Sequence, residues 1–395
     1  MPRKKKILFV HHGSGMGGAP QLLLKFLIRL DLNKYEPVVW CIRKSSASDL
    51  FEKHGFNVII NENACPFLHI SDGFYGFRHP HLVLKMSIGQ LKSYRTAKKI
   101  FADELPDVIY LNSIVIPGIL RAAAEFKAKV IVNVLESVAD GYTGFRKNLI
   151  INYTKKWGDN FVFMLNSEAK KWGLENSENA TVVYDFIETE KFKQISNNNI
   201  LINEYSIDNN SFLIGYLGRF TKAKGVHHLI RAVGMLKRRG YNFHLLLIGP
   251  VPQPTKRIRK KQYIEELREL IKNESLENNI TFTGEKTDVA NTIAQFDLLA
   301  VPFTEPHFSR LCGEAAAAGK VVIAFDIGGP GEEIINNETG FLISPFDEKE
   351  FADKIEFLIN NPETRKKMEK RALERADKVF NADNNFNKVI RLIEK

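Results

Sequence analysis

Short apolar runs alternate with longer stretches of helical periodicity from residue 6 onward. Residues 7–10, 37–42, 58–60, 108–111, 130–134, 161–165 and 181–184 are β-rich runs of strand length, and amphipathic stretches such as 21–30 lie between most of them. A polar stretch at 194–210, carrying Asn197, Asn198, Asn199, Asn209 and Asn210, interrupts this rhythm. It then restarts, with strands expected at 212–217, 244–248, 280–283, 298–301 and 321–325 and helices at 225–239, 263–272, 289–296 and from 314. Beyond residue 350 the pattern is mainly helical, broken at Pro362. Such alternation predicts an α/β protein whose parallel strands are covered by helices on both faces. The two halves repeat in architecture but not in sequence. At 395 residues the chain is long for one core. The expected division is a first Rossmann-like domain over 1–195, a second over 196–375, and a C-terminal helix over 376–395 that packs back on the first.

An apolar share of 44% with 26% charged residues belongs to a globular chain and excludes a disordered one. No apolar run approaches the roughly 20 residues that span a bilayer. The basic start is followed by only four apolar residues at 7–10, too few for a signal-peptide core, so a cytoplasmic protein is expected. Cys41, Cys65 and Cys312 are scattered and form neither a CxxC pair nor a Cys/His cluster, which argues against a metal or redox site. Net charge is +10 and uneven: residues 1–195 hold 27 Lys+Arg against 19 Asp+Glu, and residues 196–395 hold 29 against 27. The excess of eight in the first half favours an anionic partner such as phospholipid or a phosphorylated acceptor. Nucleic acid is disfavoured, because the basic run at 255–261 has no aromatic series beside it. Residues 82–101 mix Leu84, Ile88 and Leu91 with Lys85, Lys92 and Arg95. That pattern reads either as a face for an anionic leaflet, placing the chain at the inner face of the plasma membrane, or as a core-facing helix with a solvated basic side.

Ligands of parallel α/β sheets bind beyond the carboxyl ends of the strands, so the loops there carry the candidate chemistry. After 7–10 come His11, His12 and a G-x-G-x-x-G pattern at Gly13, Gly15 and Gly18. Three readings stand: a loop lining a sugar site, a structural glycine turn, or a dinucleotide loop with Arg43 near an NADP phosphate. After 212–217, Gly218-Arg219-Phe220-Thr221-Lys222-Ala223-Lys224-Gly225 brackets a tight loop with two cations, as a departing diphosphate requires. After 298–301 come Glu305 and, at the next helix, Glu314. One carboxylate can hold a sugar and the other a ribose, while backbone N–H groups of Ser309, Arg310 and Leu311 meet phosphates.

Taken together, GR-x4-KG, Gly249-Pro250, Phe282-Thr283-Gly284, E…EAxAxGKxVIA and Gly328-Gly329 resemble the donor domain of retaining GT-B glycosyltransferases of family 4 (group 1). The resemblance is tightest over about 212–345 and looser before. It implies two Rossmann-like domains with parallel sheets facing across a cleft, and metal-independent sugar transfer from a nucleoside-diphosphate sugar, a UDP- or GDP-sugar that is a co-substrate and not a cofactor. The acceptor would be a glycan or lipid-linked hydroxyl in cell-surface polysaccharide or lipopolysaccharide synthesis. By matched position, Arg219 and Lys224 bind the diphosphate, Glu305 the sugar and Glu314 the ribose. Phe282, Thr283, Gly284 and Val289 lie near the base, Gly218 shapes the phosphate loop, and Gly17 and Gly18 approach the donor from the first domain.

Three departures from that family pattern matter. Eight residues, not seven, separate Glu305 and Glu314, an insertion around 306–308. The acceptor-side histidine after 130–134 is replaced by a segment with Glu136, which becomes the candidate catalytic group there. Asp185-Phe186 stands where Asn-Gly is usual. A GT-B-like nucleotide-sugar epimerase, an NADP-dependent oxidoreductase and a non-catalytic sugar-nucleotide-binding partner remain the alternatives.

Overall fold

The computed structural model describes residues 3–13, 15, 17–67, 80–138, 144–193, 195, 199–250, 258–306 and 308–395, with the backbone alone over 258–261. The chain divides into two compact units, Met1–Phe186 with Asn385–Lys395, and Ile187–Asn384. The asparagine-rich stretch therefore lies with the second unit, where Leu201 and Ile207 enter the core. Among the described residues no helix is long and apolar enough to cross a membrane.

The first unit holds β1 (Lys5–His11), β2 (Tyr35–Cys41), β3 (Asn57–Ile60), β4 (Val108–Leu111), β5 (Lys129–Val134), β6 (Asn160–Phe163) and β7 (Ala180–Val182). All pair in parallel in the order β3-β2-β1-β4-β5-β6-β7. Ile7, Leu8, Phe9 and Val10 are all fully buried, so both faces of β1 are covered. That explains a continuous apolar run where a one-sided strand would alternate. The order reverses direction between β1 and β4, the place where such sheets open a crevice.

The second unit repeats this plan with β8 (Phe212–Leu217), β9 (Phe243–Ile248), β10 (Ile280–Gly284), β11 (Leu298–Val301), β12 (Val321–Phe325) and β13 (Gly340–Ile343). Its order is β10-β9-β8-β11-β12-β13, again all parallel, with the reversal between β8 and β11. Both orders follow the 3-2-1-4-5-6 progression of Rossmann sheets. Twelve of the thirteen strands fall within two residues of their expected positions. The thirteenth, Gly340–Ile343, was not foreseen: it has four residues and begins on a glycine.

Asp185, one of the departures from the family pattern, has a structural task. Its carboxylate is buried and pairs with Lys25 Nζ at 3.1 Å, joining the chain after β7 to the helix Gly18–Leu27. Its carbonyl accepts from Asn385 Nδ2 at 2.7 Å, and Lys388 Nζ donates to the Val182 carbonyl at 3.1 Å. The last residues of the helix Ala382–Glu394 are thus tied to the first unit, with Tyr35 donating to Glu394 Oε1 at 2.7 Å. Asp185→Ala strands the Lys25 ammonium in a partly buried position. A loss of about 2–3 kcal/mol is expected in the first unit's unfolding transition, read by denaturant titration. A loss below about 0.5 kcal/mol would show that the pair holds nothing together.

Candidate functional site

In the second unit β8 delivers the chain to Gly218, and the Tyr216 hydroxyl donates to the Arg219 carbonyl at 2.9 Å, fixing the loop as it leaves the sheet. A 3-10 turn at Lys222–Lys224 follows, and Gly225 at φ 64° opens the helix Val226–Arg238. A Cβ on Gly225 would sit 1.7 Å from the Pro302 carbonyl oxygen, so only glycine lets this loop meet the one after β11. Thr304 completes the join: its N–H donates to the Ala223 carbonyl at 3.0 Å and its hydroxyl to the Lys222 carbonyl at 3.2 Å. Lys224 Nζ stands 3.7 Å from the centre of the Phe303 ring. The structure thus brings the Arg219–Lys224 loop and the Glu305 loop together at the β8/β11 reversal, although some eighty residues separate them in sequence. Arg219 and Glu305 are exposed, and Arg219 makes no salt bridge among the described residues.

The next helix, Arg310–Ala317, begins four residues earlier than expected, which places Glu314 in its second turn. Glu314 is buried and pairs with Arg310 Nε at 3.1 Å. Of the three backbone donors expected to meet phosphates, the Ser309 N–H is already engaged by Glu333 Oε1 at 3.1 Å. That corrects the expectation for Ser309 and leaves Arg310 and Leu311, whose first-turn N–H groups have no intrahelical partner. Within the 306–308 insertion Pro306 is exposed and Phe308 half-buried, while His307 lies outside the described residues.

The same edge of the sheet gathers Phe282, Thr283 and Gly284 at the end of β10, all half-buried. Phe282 packs edge-on against Phe220 of the cationic loop at 5.4 Å between centres, and Gly249 N–H donates to the Gly284 carbonyl at 3.0 Å. Val289 opens the short helix Val289–Ala294, capped by Asp288, whose carboxylate accepts from Asn291 N–H at 3.0 Å. The basic run at 255–261 lies outside the described residues or has its backbone alone described.

In the first unit a second cluster sits at the β1/β4 reversal. Asn133 Nδ2 donates to Asn112 Oδ1 at 2.9 Å, and Asn112 Nδ2 donates to His11 Nδ1 at 3.2 Å. Burial pushes the His11 imidazole down to about 3, so it is neutral and fits the accepting role. Glu136, its side chain 14% exposed, accepts from the Ser113 hydroxyl at 2.7 Å. Burial raises its carboxyl to about 7, against the pull of Ser113 and the Ile114 N–H. His12 Nε2 lies 3.6 Å from Glu136 Oε1, but burial holds His12 down at about 4. Burial thus disfavours the charged form of both groups, and the neutral pair is favoured over an ion pair. His11 Nε2, His12 Nδ1 and Asn133 Oδ1 are buried without a hydrogen-bond partner among the described residues. Each such atom costs about 1–3 kcal/mol unless water or a ligand meets it. Nearby, a Cβ on Gly15, Gly17 or Gly18 would meet nothing within 4 Å, so packing alone does not demand glycine there. Ser14 and Met16 lie outside the described residues. Sequence reasoning did not assign Asn112, Ser113 and Asn133 to the site. Their signal is a polar residue at the end of an otherwise apolar strand.

Residues 197–375 match the family model described as "Glycosyl transferases group 1". Over that region the chain matches the group 1 glycosyl transferase family. The capsular polysaccharide biosynthesis glycosyltransferase CapM of Staphylococcus aureus is 29% identical over 196 residues, 50% of this chain and 49% of that protein. The alpha-1,3/1,6-mannosyltransferase ALG2 of Dictyostelium discoideum is 23% identical over 93% of this chain and 92% of its own. The chain spans only about half the length of the first curated relatives it matches. Among solved structures, Anabaena HepE in complex with UDP superposes with a TM-score of 0.80 at 19% identity, covering 98% of this chain and 99% of that one. The fold is therefore α/β of the GT-B kind, with two Rossmann-like domains.

Glu136 makes the protein's stability depend on pH in a defined sense. Its carboxyl is raised from the ordinary 4.5 to about 7 in the native state. Between those values the native state keeps a proton that the unfolded state has released, so its contribution is full below 4.5 and is lost as pH rises through 7. Glu136→Gln removes the dependence. Relative to the wild type, the variant is expected to gain about 1 kcal/mol of stability per pH unit across that window, measured by denaturant titration at several pH values. Parallel profiles would show that the carboxyl is not raised.

Proposed function

We propose that the protein is a retaining glycosyltransferase of family 4 that moves a sugar from a nucleoside-diphosphate sugar to a hydroxyl of a glycan or lipid-linked acceptor. The observation that carries this reading is the convergence of Arg219, Lys224 and Glu305 at the β8/β11 reversal, held by Gly225 and Thr304. Two cations and one carboxylate on a single rigid edge suit a reaction in which a diphosphate departs while a sugar carbon gains positive character. HepE was solved with UDP, and CapM is a capsular polysaccharide biosynthesis glycosyltransferase, which supports a UDP-sugar donor and a role in surface polysaccharide synthesis.

In the proposed reaction the bond from the anomeric carbon to the diphosphate oxygen breaks, and the acceptor oxygen bonds to the same face. The acceptor's proton passes to the departing diphosphate. Arg219 and Lys224 neutralise the negative charge as it grows, so the reading needs no metal or other cofactor. Glu305 holds the sugar hydroxyls and Glu314 the ribose. Phe282, Thr283, Gly284 and Val289 line the base, Gly218 keeps the phosphate loop small, and Arg310 and Leu311 supply backbone donors. In the first unit Glu136 is the proposed acceptor-side group, because a buried carboxyl raised to about 7 can hydrogen-bond and orient the acceptor hydroxyl while that hydroxyl's proton goes to the diphosphate. Gly17 and Gly18 leave open backbone for a donor group.

A thermal-shift screen of nucleotide sugars, with NADP(H) included, tests the reading. One nucleotide sugar is expected to raise Tm in the wild type and not in Arg219→Ala. With that donor, Arg219→Ala is expected to lower turnover about 100-fold or more. Turnover within about tenfold of the wild type, or a shift for NADP(H) alone, would overturn it.

A further inference from the structure

The helix Pro80–Glu104 has an unusual division of labour. Its buried side chains are Ser93, Ala97, Ile100 and Phe101, all in the second half. None from 80 to 92 is buried. The break comes where the helix crosses Pro117–Ala124: a Cβ on Gly118 would lie 2.4 Å from the Gln90 carbonyl oxygen, and Gly118 N–H donates to Gln90 Oε1 at 3.1 Å. The expectation of a core-facing helix with a solvated basic side therefore holds for the C-terminal half only.

Before that crossing, Leu84, Ile88 and Leu91 form one stripe at spacings of four and three, exposed by 62%, 59% and 64%. Phe145 and Leu149, exposed by 72% and 54%, form a second stripe on the helix Phe145–Trp157. Leu91 and Leu149 both line a groove of about 550 Å³ whose other apolar walls are Phe67, Pro117, Ile150 and Tyr153. At one end it closes on polar groups, with Tyr94 donating to Glu125 and Arg121 pairing with Glu125 at 2.6 Å. Exposed apolar stripes of this kind mark a contact surface.

Charge identifies the partner. Residues 80–100 contain no Asp or Glu but carry Lys85, Lys92, Arg95, Lys98 and Lys99. Lys98 reaches Glu125 at 3.7 Å, whereas Lys85, Lys92 and Arg95 are exposed and form no salt bridge among the described residues. Lys85 and Lys92 flank the leucine stripe one position around the helix, and Arg95 continues it. An apolar stripe edged by uncompensated cations is the surface an anionic bilayer attracts, whereas a second copy of this basic face would repel it.

We propose that this face docks on an anionic lipid bilayer and that the groove takes the hydrocarbon chain of one of its lipids. The groove's wall at Pro117 is three residues from Ile114, whose N–H faces Glu136 Oε2 at 3.5 Å. Three residues span at most about 11 Å between Cα atoms. The bilayer surface is thereby brought near the first unit's polar cluster. The proposal goes beyond glycosyl transfer and does not depend on it.

Flotation with vesicles of phosphatidylcholine, with and without phosphatidylglycerol, tests it. Binding is expected only with phosphatidylglycerol, falling about fivefold for each of Lys85→Gln and Lys92→Gln. The Leu84→Asp/Ile88→Asp double variant changes exposed side chains and is expected to fold but not to float. Arg219→Ala is expected to float as the wild type does, which separates failure here from failure of the transfer reading. For the groove, lyso-phosphatidylglycerol below its micellar concentration is expected to raise Tm in the wild type and not in Ser87→Trp, which fills the groove. Equal binding to neutral vesicles, flotation surviving Leu84→Asp/Ile88→Asp, or a lipid-induced rise in Tm unchanged in Ser87→Trp would overturn it. So would a dimer that this double variant dissolves, since the face would then belong to a second copy.

Discussion

Gly225 has no room for a side chain because the carbonyl of Pro302 already occupies the place where a Cβ would go. The rest of the second unit's candidate chemistry depends on that contact. Parallel strands end at one edge of a sheet, but the loops that leave them diverge unless something ties them together. Here the tie is a positive-φ glycine lying against the loop after β11, with Thr304 bonded to the carbonyls of Ala223 and Lys222. The cations and Glu305 therefore share one rigid base, while Arg219 and Glu305 themselves stay exposed. Rigid backbone with solvent-facing ends is what a site needs when it must hold a charged ligand without reorganising.

The first unit reaches a comparable arrangement by a different route. Its reversal between β1 and β4 carries few charges and many buried polar groups. The Asn133–Asn112–His11 chain uses one side of each outer group and links the strand ends, while His11 Nε2 and Asn133 Oδ1 stay buried without a partner among the described residues. Burial does the electrostatic work: it empties His11 and His12 of charge and fills the Glu136 carboxyl with a proton up to about pH 7. A neutral, proton-exchanging cluster and a cationic loop are different tools. The same sheet topology supports both because function resides in the loops and not in the strands.

Much of this was legible in the sequence, for reasons that can be traced. Inner strands buried on both faces write themselves as unbroken apolar runs, and the less buried strands at 57–60, 180–182 and 280–284 still show as β-rich runs, so twelve of thirteen were found. Gly340–Ile343, though mostly buried, escaped because its short run opens on glycine. GR-x4-KG was legible because glycines and cations in a short loop have few other uses. What stayed hidden depends on contacts distant in sequence. Nothing near Ser309 announces that Glu333, 24 residues later, will take its N–H, and nothing near Asp185 announces Lys25. The half-buried, half-protruding character of Pro80–Glu104 was equally unreadable. Its pattern is amphipathic throughout, and only the crossing at Gly118 decides where burial begins.

Glu136 stands in a segment where the resembled family carries a histidine, and the exchange is less drastic than it looks. An imidazole titrates near 6.5 without help, whereas a carboxylate does so near 4.3 and is a poor proton acceptor at neutral pH. Removing water from around the carboxylate closes that gap, because desolvation disfavours its charged form. About 1.4 kcal/mol of such penalty moves the titration midpoint up by one pH unit. The structure supplies this burial, yet it retains one hydroxyl, from Ser113, as an orienting donor. More donors would have stabilised the anion and pulled the carboxyl back into the acidic range. The weak 3.5 Å approach of the Ile114 N–H and the neutral state of His12 therefore matter as much as the carboxyl itself. A group that titrates near neutrality can arise from either residue type, provided the fold sets its hydration. In this chain the ends of β1, β4 and β5 set it.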